Sequence, residues 1–226
     1  MCGRFTLTVD AGQLQENFPW AAIPDEFPPR YNIAPTQPVA VIPNDGQNRM
    51  DFFVWGLIPS WAKDKDIGNR LINARAETLA EKPAFRSAFK RRRCLILADG
   101  FYEWQPEAGG KSKIPMYIHL ISKQPFAFAG LWEIWSPSDG SEIRSCTIIT
   151  TQPNRMMAEI HNRMPVILAP KDYQQWLAPE EKEAGSLAHL LMPYPADEMK
   201  AYPVSRLVNS PSNDQPACVL PVSANS

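Results

Sequence analysis
A chain of 226 residues with 44% hydrophobic composition suffices for one large domain or two small ones and buries most of its apolar surface on folding. It holds no apolar run of about 18 residues and no charged opening followed by an apolar stretch, so neither a membrane span nor a secretory signal is expected, and the expected compartment is the cytosol. The net charge of −1 does not announce a nucleic-acid partner, and four cysteines (Cys2, Cys94, Cys146, Cys218) without CxxC spacing argue against a disulfide framework and a zinc site.

The elements follow from pattern and punctuation. Asp10 caps a short helix in AGQLQENF (11–18). PVAVIP (38–43) and DFFVWGLI (51–58) read as strands, with NDG at 44–46 as the turn between them. PAFRSAFKR (83–91) reads as a helix with proline in its first turn. CLILA (94–98), IPMYIHLI (114–121), FAFAGLW (126–132), IRSCTIIT (143–150) and PVILA (165–169) are strands rich in β-branched and aromatic residues, with turn signals EAGG at 107–110 and SPSDG at 136–140. KDYQQWL (171–177) and EEKEAGSLAHLL (180–191) are helical. The 23 prolines imply long ordered loops, and no repeat or polar linker divides the chain. The expected fold is therefore α+β: one β-rich domain over residues 1–226, of short, mainly antiparallel strands with a few peripheral helices and a frayed tail after about residue 210.

Charge is unevenly spread. Residues 61–93 carry ten Lys/Arg against four Asp/Glu, a local +6 that leaves −7 for the remainder. A basic stretch within an acidic chain suits a polyanion-binding face, because phosphate contacts supply most non-specific affinity. A solvated helix end accounts equally well for Lys90–Arg93.

The chain opens MCGRF, and removal of Met1 would place a free α-amine and a thiol on the Cα of Cys2. Four further segments put reactive or amide side chains at expected strand ends and turns: RYNIAPTQ (30–37), LINARAET (71–78), ADGFYEW (98–104) and HNRMPVIL (161–168). Singly, each has a structural explanation: Asn73 capping a turn, Glu103 in a strand ion pair, His161 as a satisfied core histidine. In this order and spacing, from MCGRF to YPVSRLVN (202–209), the segments resemble the SOS response-associated peptidase (SRAP) family of abasic-site-processing proteins.

That resemblance implies the SRAP fold and covalent capture of abasic sites in single-stranded DNA by Cys2, during the DNA damage response. An abasic deoxyribose is a masked aldehyde. A 1,2-aminothiol attacks it twice, amine first to an imine and thiol second to a five-membered thiazolidine. An unperturbed α-amine titrates near about 8 and a lysine near about 10.4, so the terminus holds roughly a few hundred times more free base at neutral pH. An imine alone promotes β-elimination, the lyase outcome that ring closure averts. By resemblance, Glu103 and His161 are the acid/base pair, Asn73 orients the sugar and Asn32 organises the pocket wall. Arg4, Arg75 and Arg163 match arginines aimed at phosphates, Trp61 offers a stacking surface and Pro35 wedges the strand. Ala62 follows Trp61 where several bacterial relatives carry a second aromatic, which weakens the expected stacking. The partner implied is single-stranded DNA bearing an abasic site; no membrane, metal or cofactor is expected, and the protein is expected to be a monomer that loses Met1 by autoproteolytic or peptidase-like removal. Two other readings stand beside it: an N-terminal-nucleophile thiol hydrolase or peptidase, and a non-covalent reader of single-stranded DNA.

Overall fold
The computed structural model describes residues 2–107, 109–110, 112–137 and 139–222. Among them the strands run β1 (Arg4–Leu7), β2 (Arg30–Ile33), β3 (Pro38–Pro43), β4 (Asp51–Trp55), β5 (Asn73–Arg75), β6 (Arg93–Ala98), β7 (Gly100–Pro106), β8 (Lys113–Leu120), β9 (Phe126–Trp135), β10 (Ile143–Thr151), β11 (Met164–Pro165), β12 (Ile167–Leu168) and β13 (Met199–Pro203). The α-helices are short: α1 (Ala11–Asn17), α2 (Arg86–Arg91), α3 (Arg155–Ala158) and α4 (Tyr173–Leu177).

A closed barrel forms because β10 pairs on both sides. The circuit runs β10–β4–β3–β6–β9 and returns from β9 to β10 by a hairpin, antiparallel throughout except where β4 lies parallel to β10. Closure removes sheet edges and lets strands be apolar on successive residues. All six residues of β6 are buried, as are the first eight of β9. Packing inside is tight enough to require Gly130, where an added Cβ would lie 2.8 Å from Ile96 Cδ1 and 2.9 Å from Cys94 Sγ.

A second, wholly antiparallel sheet, β13–β8–β7–β1–β2, lies against the barrel. Phe5 of β1 meets Trp55 at 5.1 Å and Phe128 at 5.7 Å between ring centroids, and Phe101 of β7 reaches Phe128. On the opposite face Tyr102, Tyr117, Val204 and Val208 form a separate small core. Alternation along β7 therefore aims Phe101 and Glu103 at the barrel and Tyr102 away from it.

The expected α+β, β-rich architecture is the one observed, with local differences. The strand expected over 51–58 stops at Trp55 because Gly56 adopts φ +131°, and its backbone approaches Gly68 so closely that an added Cβ would sit 2.7 Å from the Gly68 carbonyl oxygen. The strand expected over 165–169 splits, its first part pairing with β10 and its second with β9, so this segment crosses one end of the barrel. The helix expected over 180–191 is instead a 3-10 helix over Ala184–Leu190; Gly185 and Ser186 favour α-helix poorly, and Leu187 and Leu190, three apart, turn inward together. Asp10 caps α1 with a reciprocal Asp10–Gln13 capping box. The turns expected at 107–110 and 136–140 include residues 108 and 138, which lie outside the described residues.

The basic run Lys90–Arg93 does not form an outward-facing patch. Arg93 is fully buried and its guanidinium donates to the carbonyls of Phe89, Lys90, Trp176, Ala178 and Glu180. Arg92 pairs with Glu133 and Arg91 with Glu181. The three arginines are committed to tying α2 and the segment after α4 onto the barrel. The stretch past residue 210, expected to fray, is held by Asp214, which accepts from the Tyr31 and Asn32 amides and pairs with Arg30, and by buried Cys218; residues 223–226 lie outside the described residues.

Candidate active site
The seam between sheet and barrel collects four of the side chains singled out by the motifs. The antiparallel register Arg4↔Tyr102 and Phe5↔Phe101 carries the residues before β1 alongside those after Tyr102, bringing Cys2 to Glu103. The other two come from the barrel side. Asn73 lies on β5, paired parallel to β10 at Ile148, and His161 lies on the turn between α3 and β11, the latter also on β10. Gln105 of β7 donates to the Glu159 carbonyl at 2.9 Å and thereby pins that turn to the strand bearing Glu103.

Cys2 is fully buried. Its carbonyl accepts from Asn73 Nδ2 at 2.8 Å, and its thiol makes a long 3.8 Å contact to the Arg4 carbonyl. Asn73 Oδ1 is buried and has no hydrogen-bond partner among the described residues, so one acceptor beside Cys2 stands ready for a donor. Burial, and secondarily the negative charge of Glu103, push the Cys2 thiol far up and hold it neutral. Glu103 is 3% exposed and its carboxyl is raised chiefly by burial, with His161 pulling the other way. The Arg163 amide donates to His161 Nδ1 at 3.0 Å and the Arg163 carbonyl lies 3.2 Å from the same nitrogen, so the ring is anchored through Nδ1 on the backbone of its own turn. Asn73 is thus hydrogen-bonded to Cys2, and Glu103 lies near enough to both Cys2 and His161 for their charge states to influence one another.

The remaining motif residues surround this set in different ways. Arg4 Nη1 donates to Asn32 Oδ1 and the Val208 carbonyl, and Nη2 to the Asn209 carbonyl. Asn32, fully buried, also donates to the carbonyls of Val208, Ser210 and Asn213, so it builds the knot that holds Arg4. Arg75, at the end of β5, is exposed. Trp61 is 60% exposed above a shallow groove of about 610 Å³ lined also by Lys63, Asp64, Ile67 and Arg70, and its loop is anchored by the Trp135 indole on the Ala62 carbonyl. Pro35 is half-buried and precedes Thr36, whose φ of 73° is costly for a β-branched residue. Arg163 is gripped by Glu77 through two hydrogen bonds of 2.7 and 2.9 Å, which hold the Glu77 carboxyl below the usual carboxylate range. Glu77, Gln105 and Thr36 give no signal in the sequence: an acid, an amide and a hydroxyl inside motifs already occupied by more conspicuous neighbours carry no pattern of their own.

Comparison with known proteins places this arrangement among relatives. The abasic site processing protein YoqW of Bacillus subtilis (strain 168) is 50% identical over 222 residues, covering 97% of this chain and 99% of that protein. The abasic site processing protein HMCES of Rattus norvegicus is 31% identical over 236 residues, covering 88% of this chain and 66% of that one. A crystal structure of a Bacteroides thetaiotaomicron protein superposes with a TM-score of 0.87 at 27% identity, over 98% of this chain and 100% of that one. The family model described as SOS response associated peptidase (SRAP) matches residues 1–211, which include the seam and every side chain in it, and the chain belongs to that family.

Proposed function
We propose that this protein captures abasic sites in single-stranded DNA, joining the deoxyribose C1′ to the α-amine and thiol of Cys2 once Met1 has been removed. The observation that carries the reading is the seam itself: a buried cysteine at residue 2, its carbonyl held by Asn73, with Glu103 and His161 alongside. The names of the relatives point to the same lesion.

The steps balance without a cofactor. The α-amine adds to the aldehyde carbon of the opened sugar to give a carbinolamine, which loses water to form an imine. The thiol then adds across the C=N bond, its sulfur joining C1′ and its proton ending on nitrogen. One water leaves for each adduct formed. A thiol held neutral in the resting protein suits this order, since the amine attacks first and the sulfur is needed only for closure. Glu103, with its raised carboxyl, retains a protonated fraction at higher pH than an ordinary glutamate and serves as the acid that expels water from the carbinolamine. His161, with Nδ1 anchored on the Arg163 backbone, exchanges a proton with the sugar oxygen through Nε2. Asn73 Oδ1 accepts from a sugar hydroxyl or from the attacking amine. Exposed Arg75 and Trp61 supply a phosphate contact and a stacking surface for the flanking strand.

Intact-mass measurement of the product with an abasic oligonucleotide tests this directly. The expected mass is the protein without Met1 plus the DNA minus one water. Loss of the 3′ segment from the bound strand, or an unmodified protein turning over an amide substrate, would favour a lyase or a hydrolase instead.

A further inference from the structure
Two tethers meet on Arg163. Its backbone anchors His161, with the amide 3.0 Å and the carbonyl 3.2 Å from the ring Nδ1. Its guanidinium is held from the other side: Nη1 donates to Glu77 Oε1 at 2.7 Å, and Nη2 to Glu77 Oε2 at 2.9 Å and to the Thr150 carbonyl at 2.6 Å. The Arg163 side chain is only 13% exposed against 43% for Glu77, and its Nε is buried with no hydrogen-bond partner among the described residues. With the Nη edge occupied and the Nε edge sealed, a second anion cannot take the guanidinium bidentately unless Glu77 leaves. Glu77 lies in the 3-10 turn that directly follows β5 and Asn73. One ion pair therefore bridges the turn after Asn73 to the turn of His161, the two residues that the barrel contributes to the seam.

We infer that Glu77 is a positioning residue: by clamping Arg163 it fixes the 161–163 turn, so that His161 stands beside Glu103 with Nδ1 anchored on the Arg163 backbone. The pair is short, bidentate and partly buried, the geometry in which an ion pair defines a conformation rather than merely decorating a surface. The rival role for the same carboxylate is a countercharge that competes with DNA phosphate for Arg163. The two roles predict opposite behaviour when the charge is removed.

The rate assay for this inference rests on the covalent-capture reading, while the tautomer measurement does not. The chain has three histidines, so long-range ¹H–¹⁵N spectra resolve His161, assigned by the signal lost in H161Q. Wild type should show a single, fixed tautomer for His161, and E77A should move it toward the averaged tautomer pattern. In single-turnover crosslinking, E77A should slow the rate at saturating DNA by about tenfold, as expected for a small misplacement of a reacting group, with the half-saturating DNA concentration little changed. E77Q, which keeps one acceptor oxygen in place, should recover part of that rate and controls for folding alongside thermal melts. The double variant E77A/R163A should be no slower than R163A alone, to within about twofold, because the two residues act as one unit. An unchanged His161 signature in E77A, or tighter DNA binding with an undiminished rate, would overturn the inference. Wild-type protein that forms no adduct while E77A still shifts the His161 tautomer would instead reject covalent capture and leave the clamp standing.

Discussion
Strands β6 and β9 of the closed barrel are buried over their whole length and their first eight residues, respectively, with β6 apolar except for Arg93 and β9 broken only by Gly130 over its first seven positions, whereas the sheet laid against the barrel alternates aromatic and polar side chains and carries Arg4, Asn32 and Glu103. The barrel has no open side along its circuit, so it is free to be uniformly apolar and rigid. The sheet has one face on the barrel and the other on a small tyrosine-rich core, so its barrel-facing side brings the Cys2 thiol to the main core and sets the Glu103 carboxyl beside it. Chemistry is placed where the two meet. Cys2 and Glu103 arrive from the sheet, Asn73 and His161 from β10 and its attachments. The division teaches that stability and reactivity are carried by separable parts, and substitutions can test that separation.

The largest effect is expected inside the barrel. Leu97→Ala removes a fully buried side chain of β6 and should cost about 2–5 kcal/mol in denaturant unfolding, while the crosslinking rate of the still-folded protein stays within about twofold of wild type. A proportional loss of rate would mean that barrel packing sets the chemistry and that the two parts are not separable.

Glu103→Gln should show the reverse: adduct formation slowed roughly a hundredfold, about 2.7 kcal/mol of barrier, with single-strand affinity nearly intact. The same substitution should stabilise the fold at neutral and higher pH. Burial raises the folded-state carboxyl above its unfolded value, so the native state binds more protons and wild-type stability falls as pH rises through the interval between the two. Below the unfolded value near about 4.3 both states are protonated and the advantage of the glutamine should vanish. A variant equally stable at pH 4 and pH 8 relative to wild type would place Glu103 in no such strained state.

Smaller effects belong to the DNA-facing margin. Arg75→Ala should weaken binding to single strands of any sequence and make the slope of log affinity against log salt shallower by about 0.7, the loss of one phosphate contact. Unchanged slope and affinity would remove Arg75 from the interface. Thr36→Gly relieves a left-handed β-branched residue and should raise stability by about 1 kcal/mol, as read from thermal unfolding. A destabilised variant would show that the contacts of Thr36 outweigh its backbone strain.

Legibility in the sequence divides along the same line. The barrel strands β3, β6 and β10 are readable because burial leaves nearly continuous β-branched and apolar runs, and their observed and expected bounds differ by a residue or less at each end, as do those of β8, the one strand of the second sheet with an apolar alternation long enough to read. RFTL, RYNI, NAR, GFYEWQP and MKAYP carry no comparable signal, although they form β1, β2, β5, β7 and β13. Short segments with arginine, asparagine, glycine and glutamate have little local preference for extended structure, and their pairing is set by partners distant in sequence. The fate of Arg93 is hidden for a related reason, since three of the carbonyls that hold it come from Trp176, Ala178 and Glu180. The seam residues are legible through motif order rather than through any strand signal. Glu77 is not, because an acid among arginines reads as solvent charge until its partner is located across the barrel end.

Denaturing electrophoresis of three protein forms with an abasic single strand tests covalent capture through both groups of Cys2. Protein lacking Met1 should give a band that survives heating. Cys2→Ser, which keeps the amine but loses the sulfur, should give only an imine trapped by borohydride, with strand nicking by elimination. Protein shown by mass to retain Met1 should give no stable band, because its amine belongs to the wrong residue and a thiol alone forms only a reversible hemithioacetal. A heat-stable adduct from the Met1-retaining form would contradict the thiazolidine mechanism.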